Sequence, residues 1–313
     1  MDMTTTASHT APSINTTTIP PVSTPSISTA AMLVELNIST WTGRKLDKRA
    51  SAEVTTQNNA ARGTASVNKK LLGDCAELDA VSKFAANARN IHYAMTMPWS
   101  DSGLRLLPTA QYFKYTKQVS ELEQEFARLV QVFIDAYSWE IGQSQVKLGA
   151  LFHADEYPSS DSLVSKFRFS ANYMPVPEVG DFRVDMGKEA NDLLTSHYTQ
   201  YYTTQLNNAM GDIWKRAYTA LSKMSERLDY ADSRDKTTRK VFRDSLVDNV
   251  VEIVDIMKSC NITGDSQMAA MARSLEDTFL CVSAEALRED DYLRHETKQK
   301  VDAVLRSLPS LQL

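Results

Sequence analysis

Two groups of carboxylates first suggest acid–base or metal chemistry: the pair Asp181 and Asp185, and the run Glu289, Asp290, Asp291. Asp181 and Asp185 flank a strand-like Phe-Arg-Val, and at the usual rise per residue a spacing of four sets them about 13 Å apart on one strand face. That distance is too long for a coupled acid–base pair and reads as a polar outer face. The second run precedes a helical stretch, where negative charge is favoured by the positive end of the helix dipole. His153 is the one histidine with carboxylates beside it, Asp155 and Glu156, and "FHADEYP" reads as a solvated turn. With the other histidines widely spaced, the sequence leads us to expect no metal and no cofactor.

Cys75, Cys260 and Cys281 are odd in number, contain no CxxC pair and fall on or beside apolar helical stripes. Buried thiols in a reducing compartment are therefore expected. The chain carries no GxxxxGKS/T phosphate loop, no GxGxxG after a strand, no HExxH, no GxSxG and no EF-hand loop, so the enzyme classes that depend on them become less favoured. The reading leans away from an enzyme.

Charge is distributed unevenly. The net formal charge is −5, which argues against a globally basic nucleic-acid binder. Between Trp41 and Lys70, however, seven basic residues stand against two acidic ones. Such a segment suits a phosphate backbone or an acidic protein partner, with a solvated helix face as the ordinary alternative.

The elements that would position these groups are mostly helical. "LVELNIST" alternates Val34, Leu36 and Ile38 with polar residues, the period of a half-buried strand. A turn at Gly43 leads into a basic, helix-compatible run. Residues 68–95 carry apolar positions at steps of three and four, an amphipathic helix, and "MPWSDSGLRLLP" has the chemistry of a loop. A long helix is expected from about Thr109 to Leu148, with Leu122, Phe126, Leu129, Phe133, Tyr137 and Ile141 on one face, unless Gly142 or Gly149 interrupts it. Phe167 to Tyr173 and Phe182 to Met186 read as a hairpin around the lip "PVPEVG", completed by the strand near Val34 into a three-stranded antiparallel sheet. After Gly187 four helical stripes follow, the first running from Leu206 to Leu228. The expected class is α+β, predominantly α, with long antiparallel helices.

With 42% apolar and 23% charged residues, 313 residues suffice for a sizeable core. The organisation reads as a disordered Thr/Ser/Pro-rich tail (1–30), a mixed region (31–187) and a helical region packing on it (188–313). The tail lacks the basic start and apolar run of a signal peptide. No segment reads as a membrane span, since even "VVEIVDIM" is broken by Glu252 and Asp255.

Three blocks, "WTGRKLDKRASAEV", "MPWSDSGLRLLPTAQYFKYT" and "LGALFHADEYPSSDSLVSKFRFSANYMPVPEVGDFRV", together resemble an uncharacterised family of tailed-phage and prophage proteins. The likeness runs from about Leu33 to Val184. It implies a phage protein acting in the host bacterial cytoplasm as an adaptor or client of an ATP-driven remodelling system, since some members are encoded near a MoxR-like AAA ATPase and a von Willebrand A-type protein. It supplies no catalytic residues.

The leading expectation is thus a non-enzymatic interaction or assembly protein with a protein partner. Three clusters are candidates for partner contact: Trp41 with Arg44, Lys45, Lys48 and Arg49; the loop carrying Trp99, Asp101 and Arg105; and the lip with Pro175 and Pro177. Trp41 and Trp99 read equally well as core anchors. The alternatives are a nucleic-acid-binding protein of phage DNA metabolism using residues 41–70, and, more weakly, a virion component with the tail as a flexible arm. Self-association into a homo-oligomer is compatible with every one of these.

Overall fold

The computed structural model describes residues 27–177, 188–229, 242–279 and 282–309. They form α1 (Ile27–Ala30), β1 (Ala31–Ser39), β2 (Arg44–Asp47), α2 (Lys48–Gln57), β3 (Val67–Lys70), α3 (Ala76–Met95), β4 (Met97–Pro98), β5 (Arg105–Pro108), α4 (Tyr112–Leu148), α5 (Ser160–Val164) and β6 (Arg168–Pro175). Helices α6 (Lys188–Leu228), α7 (Ser245–Ser259), α8 (Ser266–Phe279), α9 (Ala284–Glu289) and α10 (Asp291–Ser307) complete the chain. The class is α+β and predominantly α, as the apolar periodicities predict.

Strand β1 is central to the larger sheet. It pairs antiparallel with β6 from Met32↔Pro175 to Ser39↔Arg168, so the Val34 strand joins the Phe169 strand in one sheet. Its other side is taken by β5, from Ala31↔Pro108 to Val34↔Arg105, and β4 pairs beyond β5. The sheet therefore has four strands, in the order β4-β5-β1-β6, not three. Two of them come from the segment read as a loop. Leu106 and Leu107 are both fully buried; successive strand side chains point to opposite faces, so a strand covered on both faces shows no polar alternation. The expected second hairpin strand, residues 182–186, and with it Asp181 and Asp185, lies outside the described residues, as do Cys281, the charged turn after Asp229 and the tail up to residue 26.

Each face of this sheet packs on its own apolar core. Ala31, Leu33, Leu106, Met97 and Trp99 join the inner faces of α6, α7, α8 and α10. Val34, Leu107 and Phe169 join α3 and α4 on the opposite side. The α6 stripe is buried as expected at Met210, Ile213, Ala217, Leu221, Met224 and Leu228. Helix α4 runs for 37 residues, about 55 Å at 1.5 Å per residue. Gly142 does not interrupt it; it ends at Gly149, whose φ of 52° leaves the helix while its N–H bonds the Gln145 carbonyl.

Two boundaries differ from the sequence expectation. Arg44–Asp47 is a strand rather than the start of a helix, and Asp47 caps α2 by accepting from the Ala50 N–H at 3.0 Å. The helix expected from residue 68 begins only at Ala76, because Val67–Lys70 pairs with β2 in a second, two-stranded sheet. Gly43 makes the close turn between β1 and this hairpin. Its φ is 61°, and a Cβ there would meet Leu78 Cδ2 at 2.9 Å.

Candidate functional site

The basic segment is held down by carboxylates along much of its length. Lys69 points inward, its side chain only 4% exposed; Nζ lies 2.6 Å from Glu156 Oε2 and 3.5 Å from Asp47 Oδ2 and donates to the Leu151 carbonyl at 2.8 Å. Burial opposes the Lys69 charge, but Glu156 and Asp47 outweigh it and hold the ammonium above its ordinary range. The Ala50 N–H, and then Lys69, hold the Asp47 carboxyl below its own. Lys45 lies 3.8 Å from the same Glu156, Arg49 3.1 Å from Glu53, and Lys70 3.2 Å from Asp74. Glu156 is therefore an ion-pair partner rather than part of a solvated turn, whereas His153 and Asp155 beside it are exposed.

Arg44, Lys45, Lys48 and Arg49 project from β2 and the first turn of α2 and are exposed, but Trp41 turns into the protein. Its ring lies 6.1 Å from that of Phe133 and 5.9 Å from that of Tyr137, edge-on to the latter. Trp99 is buried against Tyr202, centroids 5.1 Å apart, in the other core. Only Asp101 of its cluster is exposed at the loop tip. Arg105 folds back on the end of α3, donating to Thr96 Oγ1 at 2.6 Å and the Thr96 carbonyl at 2.9 Å, with its guanidinium 4.9 Å over the Tyr93 ring. Pro175 ends β6 and is exposed, as is Pro177, whose carbonyl accepts from the Tyr198 hydroxyl at 3.5 Å. Glu178 to Gly180 of the lip fall outside the described residues. The two tryptophans thus belong to different cores, and the three clusters separate into exposed charges and internal anchors.

Beside Arg105, a cavity of about 500 Å³ opens between the end of α3 and helices α6 and α7. Arg216 forms its floor, donating to the carbonyls of Ala94 at 2.7 Å, Tyr93 at 2.8 Å and Thr96 at 2.8 Å, and pairing with Asp212 at 2.6 Å. Arg216 and Asp212 are thus committed to the fold, while Lys215, Lys223 and Glu252 on the same cavity are exposed.

Sequence reasoning did not single out two further features. The first is the outer face of α4, where Val132, Trp139 and Val146 are 44%, 64% and 83% exposed. Their seven-residue spacing lay in the sequence, opposite the Phe133–Tyr137 stripe, and is the signal that finds them. The second is internal. Among the described residues, the ligand atoms of Cys75, Glu77 and Glu140 lie within 4.8 Å of one another. Cys75 is the residue that starts α3 and Glu77 lies in its first turn; Glu140 reaches them from α4. The Cys75 thiol donates to Glu77 Oε2 at 3.5 Å, and burial, followed by the Glu140 and Glu77 carboxylates, pushes that thiol up to about 11. Both thiols among the described residues, Cys75 and Cys260, are buried and free, as expected. No helix among the described residues is long and apolar enough to cross a membrane. Comparison with protein-family models, curated proteins and solved structures gives no match.

Proposed function

We propose that the protein is a non-enzymatic interaction or assembly protein that seats a helix of another protein against the outer face of α4. The observation that carries this reading is Trp139, 64% exposed, with Val132 and Val146 one heptad to either side. Residues seven apart drift only about 20° around a helix, so the three side chains form one stripe. Apolar side chains at that spacing offer a partner helix one contact every two turns along the same face. Scattered apolar residues on a surface are ordinary; a large aromatic flanked in register by two branched aliphatics is an anchor with its surround. The span from 132 to 146 is about 21 Å of helix, four turns.

The phage-family resemblance supplies the partner class: a MoxR-like AAA ATPase in the host cytoplasm, with this chain as adaptor or client. The test uses the purified full chain and a purified ATPase of that class, with nuclease-treated and untreated samples. Wild type binds in both, Trp139→Ala weakens binding by about thirtyfold as expected of a tryptophan anchor, and Lys48→Glu leaves it within about twofold. Undiminished binding by Trp139→Ala removes α4 as the docking face. Absence of wild-type binding removes the ATPase assignment, and binding lost on nuclease treatment makes nucleic acid the partner.

A further inference from the structure

Glu140 is an anomaly in the α3–α4 core. It is 5% exposed, yet its Oε2 has no hydrogen-bond partner. A buried carboxylate oxygen without a donor is costly, because nothing replaces the water it has lost. Its neighbours in the cluster compound the problem, since Glu77 brings a second carboxylate and Cys75 a thiol. A charge of opposite sign seated among the three relieves the whole set at once.

We propose that Cys75, Glu77 and Glu140 bind one Zn²⁺ ion, which ties the start of α3 to the C-terminal half of α4.

The donor set selects the metal. Mg²⁺ and Ca²⁺ take oxygen ligands almost exclusively, whereas Zn²⁺ accepts thiolate and carboxylate together. Geometry agrees. With Zn–S near about 2.3 Å and Zn–O near about 2.0 Å, two tetrahedral ligands stand about 3.5 Å apart, and Cys75 Sγ lies 3.5 Å from Glu77 Oε2. All ligand atoms already fall within 4.8 Å of one another, so the cation needs side-chain adjustment and no new backbone path. Three protein ligands leave a fourth position for water. Cys75 also lines a cavity of about 340 Å³ with Thr42, Gly43, Lys70 and Asp79, so the thiol end of the cluster faces open space. On binding, the Cys75 S–H bond breaks, its proton passes to solvent and the thiolate takes the metal.

The test is a Co²⁺ titration of the full, untagged, metal-stripped chain, followed by Zn²⁺ competition. A thiolate-to-cobalt charge-transfer band that saturates at one equivalent and disappears on adding Zn²⁺ is expected. Cys75→Ala abolishes it, Glu140→Gln weakens binding by about tenfold or more, and Cys260→Ala keeps it. No band, a band that survives Cys75→Ala, or unchanged affinity in Glu140→Gln overturns the assignment. Glu140→Gln preserves shape and removes the unpaired charge, so its metal-free fold is checkable by circular dichroism. At the same concentration Zn²⁺ raises the Tm of wild type and raises that of Glu140→Gln by less; a wild-type Tm indifferent to Zn²⁺ overturns the proposal independently.

Discussion

Nδ1 of His92 and the hydroxyl of Tyr115 lie 2.7 Å apart, hydrogen-bonded between α3 and α4 with both side chains buried. Burial, and secondarily the Arg105 guanidinium, pull the His92 imidazole down to about 4, and burial raises the Tyr115 hydroxyl above its ordinary range. The pair is a neutral polar link inside an apolar layer.

That link makes the fold acid-sensitive. The folded value of about 4 lies below the ordinary histidine value of 6.5, so as pH falls the unfolded chain takes up the proton first. This contribution to stability is complete above about pH 6.5, declines down to about pH 4 and is then lost, a total of about 3 kcal/mol. Urea unfolding at stepped pH checks it. His92→Gln flattens the decline across this window, and a variant with the wild-type slope removes His92 as its cause.

Arg216 closes the end of α3 with three donated bonds to the carbonyls of Tyr93, Ala94 and Thr96. A lysine there keeps the charge but not the planar fork that reaches several acceptors at once. Arg216→Lys is expected to lose about 2 kcal/mol, read as a lower denaturant midpoint with faster amide exchange in the last turn of α3. A midpoint equal to that of wild type contradicts the clamp.

Lys69 joins the β2–β3 hairpin to the turn that carries Glu156. Removing one member of a buried ion pair strands the other, so Lys69→Met destabilises by about 3 kcal/mol. The double change Lys69→Met with Glu156→Gln recovers part of that loss, because it also removes the stranded charge. Additive effects in the double variant would mean that the two side chains are not coupled in solution.

The local alphabet of the fold is legible in the chain. The stripes of α4 and α6 follow the helical period, Asp290 caps α10 by accepting from the Leu293 N–H at 2.9 Å, and the alternation of Val34, Leu36 and Ile38 marks β1. The same logic hides β5, since Leu106 and Leu107 face different cores and leave no alternation to read. Arg44–Asp47 looks helix-compatible because four residues are too few for either period to declare itself, and pairing with β3 decides the outcome.

The candidate sites divide in the same way. Exposed charges at Arg44, Lys48 and Asp101 follow from residue type alone. Periodicity reports which face of an element is apolar, but not what covers it. Trp41 and Trp99 are turned inward by neighbours far away in the chain, whereas Trp139 lies off the apolar stripe of its own helix. Lys69 is buried because Glu156 arrives from a distant turn, and Glu140 meets Cys75 and Glu77 only because α3 packs on α4. Sequence by itself determined the elements and their apolar faces, which depend on neighbours within a few residues; tertiary structure decided which side chains meet, because packing brings together residues whose separation no local pattern encodes.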